Sequence, residues 1–375
     1  MITQSSTRKL EHVLVIGAGQ AGLAAGHWLK QENLSFEILE AETRIGNSWR
    51  RRYASLSLFT TREFSGLPGL SLEGDPDGYA ARDEFADYLE RYAQHFGLPV
   101  RLGVSVEKLT RDSAGLFTAL LSSGESVSAS QVIIATGGFQ SPVIPALAKG
   151  FGPEVLQLTP ENFGDGSSVP AGTVLVVGDG ASGRDLAVLA RNGHEVMLAR
   201  GKPRKMLPER IFGKSIWWWL RRLGLLNVSG SSRIGRLMQR KDPFPDRDRS
   251  LESLAARGIV LMPRLLEAKG GEAVFDGGQS HKIAAVVWAV GYRDQTDWLQ
   301  VRHALDDQGR FLQEEGVSPV SGLYFLGRPW QRNRASALVM GVGDDAKQIV
   351  KAITASRDRS LGARAGQAKV MAAAT

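Results

Sequence analysis

The sequence predicts an α/β fold made of two parallel-sheet modules, the second inserted into the first. Three observations predict it. The apolar run Val13–Ile16 leads into a glycine turn, Gly17-Ala18-Gly19-Gln20-Ala21-Gly22, and then a helix-like stretch. The run Val174–Val177 does the same with Gly178-Asp179-Gly180-Ala181-Ser182-Gly183. Each module then closes on an apolar strand ending in glycine, at 131–138 and at 285–292. One G-x-G-x-x-G is a weak signal, but two behind buried-looking strands point to two dinucleotide sites in one chain. The expected architecture is a pair of Rossmann-like, three-layer ββα domains. The boundaries fall at 1–158 for the first part of the first domain, 159–300 for the inserted domain and 301–375 for the return.

The glycine spacing has a physical reading. The first glycine makes the tight turn, the second lets backbone approach a pyrophosphate, and the third lets helix pack on strand. The helix N-terminus then faces the phosphates. A plain β-turn-α junction is the alternative, and the residues that end each second strand argue against it. Strand 35–40 ends in Glu40, roughly 20 residues after Gly17, where an acid holds a ribose hydroxyl. Strand 195–200 ends instead in Arg200, with Lys202, Arg204 and Lys205 following. A cation there suits a 2′-phosphate, although a solvated surface charge is the blander reading. The first turn is therefore assigned to FAD and the second to NADPH.

Along the chain, 41–80 reads as loop. Apolar groups at helical spacing mark a helix over 83–96 with Gly97 as its C-cap. Short strands follow at 100–109, 116–121, 126–129 and 131–138, and 142–170 reads as a Pro/Gly-rich linker. The inserted module repeats strand, helix and strand, then makes a basic excursion at 203–250. A strand at 322–327 and a helix at 344–355 return to the first module, and the tail from Ser356 is expected to fray.

Composition bounds the function. The chain has no cysteine, which removes disulfides, thiolate metal sites and a redox dithiol. No secretory h-region precedes the first strand, and no run of 18 apolar residues exists, so a cytoplasmic protein is expected. Net charge is +7, but residues 200–240 hold eleven Lys/Arg against one acid, Glu209. Trp217, Trp218 and Trp219 lie in that stretch. Basic residues beside tryptophans fit a weak membrane-surface contact through 203–240. The favoured reading packs the tryptophans on the domain or at a substrate mouth; nucleic acid is not expected, and a Trp-rich surface also suits a homodimer.

Beyond these turns, the segment Ile45-Gly46-Asn47-Ser48-Trp49-Arg50-Arg51-Arg52-Tyr53-Ala54-Ser55-Leu56-Ser57-Leu58 resembles the loop over the flavin in two-dinucleotide flavoprotein monooxygenases. That group includes flavin-containing, N-hydroxylating, Baeyer–Villiger and plant indole-pyruvate monooxygenases. Ala135-Thr136-Gly137 resembles its A-T-G linker, Ala289-Val290-Gly291-Tyr292 its second glycine turn, and 341–346 its C-terminal flavin contact. The resemblance implies cofactor contacts at Gly17, Gly19, Gln20, Ala21, Gly22, Glu40, Gly46, Ser48, Trp49, Val106, Ala135, Thr136, Gly137, Gly327 and Asp345. For NADPH it implies Gly178, Gly180, Ala181, Ser182, Gly183, Arg200, Lys202, Val290 and Gly291. The family fingerprint F-x-G-x-x-x-H departs here, with Phe151 kept, Pro153 for glycine and Gln157 for histidine.

The resemblance further implies that NADPH reduces FAD, and that a hydroperoxyflavin oxygenates a small organic substrate with dioxygen. No nucleophilic triad or metal site is expected, and the six histidines do not cluster. Asp179 and Asp185 read as helix-start or packing residues. Trp49 is the candidate flavin wall, or a core tryptophan. Gln157 and Arg328 are further candidates, and Arg332 and Arg334 join Arg328 as cations for an acidic substrate or as surface charge. The rival readings are a flavin or quinone reductase or oxidase without oxygenation, and a binding module that holds FAD structurally.

Overall fold

The computed structural model describes residues 9–202, 206–241 and 244–373. Its first sheet runs in the order Val100–Arg101, Phe36–Leu39, Lys9–Ile16, Ser126–Ile134, Phe117–Leu121, Val106–Arg111, and Leu323–Phe325 also pairs with Ser126–Ile134. The second sheet draws every strand from between those two stretches: Val260–Met262, Glu195–Ala199, Thr173–Val177, Ala285–Trp288, Leu156–Leu158. All its pairings are parallel. An insertion of one α/β module in another is thus the observed architecture.

Each sheet is buried on both faces, as parallel sheets require. The helices Gln20–Gln31, Arg82–His95 and the start of Val339–Ala373 cover one face of the first through Leu23, Phe85, Tyr88, Leu89, Val342 and Ile349. Phe117, Leu109, Leu299 and Val301 cover the other. In the second module the helix Ala181–Ala190 packs Leu186 and Ala187 on one face, and Phe151, Phe275 and Trp288 fill the other. Among the described residues no helix is long and apolar enough to cross a membrane.

Four details differ from the expectations. The stretches 126–129 and 131–138 form one strand, Ser126–Ile134, because Lys9–Ile16 pairs parallel with it from Val127 to Ile134. Only its other edge changes partner, from antiparallel Phe117 to Leu120 at Ser126 to Ala129 to parallel Leu323 to Phe325 at Val132 to Ile134. Second, Leu156–Leu158 is an edge strand of the second sheet, paired with Ala285 to Val287, so a boundary after residue 158 cuts that sheet. Third, the helix from Val339 runs on to Ala373, since Ala, Arg, Gln and Lys there are strong helix formers. Fourth, the excursion holds a parallel pair, Met206–Pro208 with Phe244–Asp246, a hairpin, Arg210–Ile211 with Lys214–Ser215, and the helices Ile216–Arg222 and Arg233–Lys241.

Candidate cofactor and active site

At the first turn each glycine has its own geometric reason. Gly17 has φ +106°, and a Cβ there would lie 2.7 Å from the Ala135 carbonyl oxygen. A Cβ on Gly22 would lie 1.8 Å from the Gly17 carbonyl oxygen, so only glycine lets the helix sit on this strand. A Cβ on Gly19 would meet no atom within 4 Å. Nothing in the protein demands glycine there; a ligand against that backbone would. Gly19 also caps the helix Gln20–Gln31 with no side-chain bond to its amides, which suits an anion. Glu40 closes the cradle, its carboxylate accepting Ala18 N at 2.7 Å and Glu42 N at 3.0 Å.

The other first-site candidates gather at this sheet edge. Ala135 N donates to Ile16 O at 2.8 Å, and a Cβ on Gly327 would sit 2.8 Å from Ala21 Cβ. Gln20 donates to Ala337 O at 3.3 Å and accepts from Trp49 Nε1 at 3.2 Å. Trp49 also meets Phe85 edge-on at 4.8 Å, so it is half core. Val106 begins its strand two residues after Val104, whose amide donates to Glu40 O at 3.0 Å. Ser48 is exposed on the short helix Asn47–Arg50. Gly46 has a packing reason of its own, since a Cβ would lie 2.7 Å from Ala86 O. Thr136 Oγ1 and Gly137 O both accept from Gln140 Nε2, at 2.9 and 3.1 Å. Asp345 is 1% exposed: one oxygen accepts from Arg332 at 2.8 Å and the other, Oδ2, has no partner. Burial pushes its carboxyl above the ordinary value. An orphaned buried acceptor beside the turn suits a polyhydroxyl chain or ring donor.

The second turn repeats the first. Gly178 has φ +103° and a Cβ 2.5 Å from Ala289 O, and Gly183 would clash at 1.8 Å with Gly178 O. A Cβ on Gly180 would meet nothing within 4 Å, and this glycine caps the helix that starts at Ala181 and Ser182. Val290 packs its Cγ1 3.4 Å from the position of a Gly178 Cβ, and Gly291 O accepts from Val143 N at 2.9 Å. Asp179 Oδ1 accepts from Gly201 N at 3.0 Å. A cavity of about 260 Å³ opens here, lined by Asp179, Arg184, Arg200, Gly201, Pro263 and Arg264. Arg200 and Arg264 both face this cavity, and Arg200 Nε also donates to Met262 O at 3.4 Å. Arg184, 2% exposed, is spent within the fold on Asp179 O at 2.8 Å and Arg249 O at 2.6 Å. Lys202 is exposed, and Arg204 and Lys205 lie outside the described residues.

A seam joins the two modules along the 52–59 loop. Buried Tyr53 donates to Asp185 Oδ2 at 3.1 Å, and Arg249 holds Asp185 Oδ1 at 2.9 Å. Burial, then the Asp185 charge, pushes the Tyr53 phenol upwards. Arg52 bonds the Tyr292 hydroxyl and stacks over that ring at 4.6 Å and over Phe139 at 5.3 Å. Arg247 donates to Leu58 O at 3.0 Å and Ser57 Oγ at 2.9 Å. Trp217 is buried and donates to Phe59 O at 2.6 Å, so this tryptophan packs on the domain as favoured.

Three expectations find other uses for their residues. Arg328 donates to Gly137 O at 2.6 Å and pairs with Asp294 at 2.8 Å. Arg332 holds Asp345, and Arg334 lies over Trp217 and Trp330. Each of these cations has a partner within the protein. Gln157 accepts from Trp288 Nε1 at 3.0 Å and donates to Ala148 O at 3.1 Å, a packing tie within the second module. Arg52 and Tyr53 stand out in the sequence only as part of the flavin-loop segment Ile45 to Leu58, and Arg247 and Arg264 carry no signal there.

The model of the pyridine nucleotide-disulphide oxidoreductase family matches residues 14–210. An uncharacterized CzcO-like oxidoreductase of Geobacillus kaustophilus is 44% identical, over 91% of this chain and 97% of its own. The indole-3-pyruvate monooxygenase YUCCA1 of Oryza sativa is 27% identical, over 92% and 93%. A flavin-containing monooxygenase from Stenotrophomonas maltophilia has the same fold, with TM-score 0.77 at 24% identity over 93% of this chain and 99% of that one. With both cradles fitting dinucleotides, the chain belongs to the pyridine nucleotide-disulphide oxidoreductase family and is an oxidoreductase with that family's cofactors, FAD and NADPH.

Proposed function

We propose that this protein is an NADPH-dependent flavoprotein monooxygenase that transfers one oxygen atom from dioxygen to a small organic substrate. The observation that carries the reading is the pair of open glycine cradles joined by one seam. In each, a Cβ on the middle glycine would meet no protein atom within 4 Å, and the loop from Arg52 to Phe59 ties the first module to Asp185 and Trp217 of the second. FAD, when bound, accepts a hydride from NADPH and passes electrons to oxygen. The protein's part is to bind, orient and exclude water.

Glu40 orients the ribose at the first site, Asp345 Oδ2 accepts from the bound cofactor, and Gln20 and Trp49 wall the turn. Arg200 and Arg264 select the 2′-phosphate at the second. Tyr53 and Arg52 hold the second module against the first. Without cysteine there is no dithiol relay, so electrons leave directly to oxygen or another diffusible acceptor. Because Arg328, Arg332 and Arg334 are engaged within the fold, we infer a substrate that does not depend on a carboxylate.

The test is an isotope experiment with FAD-loaded protein, NADPH and labelled dioxygen against a panel of neutral amines, sulfides and ketones. One labelled oxygen in a product, with less hydrogen peroxide released per NADPH consumed, is the expected result. Hydrogen peroxide equal to NADPH throughout, with rapid quinone reduction, would replace the reading by a reductase or oxidase.

A further inference from the structure

We propose that the outward side of the 206–241 excursion docks on an anionic lipid bilayer. Its inner side is fully used: Trp217, Ile216 and Leu226 pack with Phe64 and Ala335 in one cluster. The outer side has no such partner. Phe212 sits at the tip of the hairpin Arg210–Ile211/Lys214–Ser215 with 93% of its surface exposed and φ +49°. Its ring meets Trp219 at 6.4 Å, and one turn further along that helix Leu223 is 66% exposed. On the helix Arg233–Lys241, Ile234 and Leu237 are also exposed, while Gly235 is buried against Ser229 and Gly230.

Cations surround these groups. Lys214, Arg222, Arg233, Arg236 and Arg240 are all exposed, and among the described residues none lies within ion-pair reach of a carboxylate. Arg210, paired with Asp77, is the exception in the excursion. Exposed aromatic and branched aliphatic side chains ringed by unpaired cations complement a surface with negative headgroups above a hydrocarbon layer. A nucleic acid would use the cations but has no place for Leu223, Ile234 and Leu237. Trp217 ties the same excursion to the loop at Phe59, so docking would bring the loop over the first cradle close to the bilayer surface.

The experiment is vesicle flotation of the FAD-loaded protein with phosphatidylglycerol-rich and with pure phosphatidylcholine vesicles. The expected result is at least about tenfold stronger binding to the anionic vesicles, lost on raising salt to about 0.5 M. The exposed double variant Phe212→Ser/Leu223→Ser should lower that binding about tenfold while keeping the melting temperature and flavin content, and Arg233→Glu/Arg236→Glu should do the same. No binding to either vesicle overturns the proposal, as an acidic protein partner would produce. Anionic binding that both double variants leave intact also overturns it, because it would place the contact elsewhere.

Discussion

The middle and last glycines of the first turn should separate binding from folding. Gly19 has φ −73° and ψ −173°, ordinary extended backbone for any residue, and a Cβ there meets no atom within 4 Å. Gly19→Ala therefore leaves the cofactor-free protein intact, and lower unfolded-state entropy adds about 0.4–1 kcal/mol of stability. For a module of this size that is a melting temperature unchanged or up by about 2–4 °C. Gly22→Ala differs: its Cβ would lie 1.8 Å from a backbone oxygen, so strand or helix must move by more than an ångström. Overpacking of that kind costs about 1–3 kcal/mol or more. With FAD the order reverses. A methyl in the phosphate cradle costs a similar 1–3 kcal/mol, weakening FAD by about 5- to 150-fold. Thermal unfolding of the cofactor-free proteins and flavin fluorescence titration read the two effects separately. If Gly19→Ala binds FAD as tightly as the parent, the pyrophosphate does not lie against this backbone and the turn is only a strand–helix junction.

Other perturbations probe the remaining parts. Arg200→Glu and, separately, Arg264→Glu should raise KM for NADPH about 10- to 150-fold, the range for a lost charged hydrogen bond, and leave NADH nearly unchanged; equal effects on both coenzymes would remove the 2′-phosphate role. Asp345 has its carboxyl held above the ordinary value by burial, so its ionised form costs native stability once pH exceeds that raised value. Asp345→Asn should thus be at least as stable as the parent at pH 8, with the advantage shrinking towards pH 4 in urea melts, while FAD affinity falls. Burial raises the Tyr53 and Tyr92 phenols and brings Tyr88 to about 12. Their contribution is complete below the ordinary tyrosine value of about 10 and is lost as pH climbs through the native values. Unfolding free energy should fall between about pH 10 and 12, less steeply in Tyr53→Phe; a flat profile would contradict the buried phenols.

Features set by local chemistry were legible in the sequence. A glycine forced by φ or by a backbone contact leaves a spacing that survives without any structure, and Gly17, Gly22, Gly178 and Gly183 each show the contact that the spacing implied. Glu40 was legible because a strand end fixes where its last side chain lies relative to the preceding turn. Pairings decided by tertiary contact were not. Ser126–Ile134 is held as one strand by Lys9–Ile16, far earlier in the chain, and no local signal joins its halves. Leu156–Leu158 is too short to announce itself, and its place comes from Ala285 to Val287, far along the chain. The arginines show the same limit most clearly: an Arg after a strand looks available, and whether Asp294 or Asp345 has already taken it depends on the folded loops. Tyr53 and Asp185 meet across 132 positions, so no window of sequence contains both.

The central claim is that NADPH-derived electrons on the bound flavin activate oxygen for transfer. Stopped-flow absorbance tests it most directly, with FAD-loaded protein reduced anaerobically by NADPH and then mixed with dioxygen. The account predicts a two-step return of oxidised-flavin absorbance, with a transient between the steps that a substrate shortens. A single-step return with one hydrogen peroxide per NADPH would contradict it.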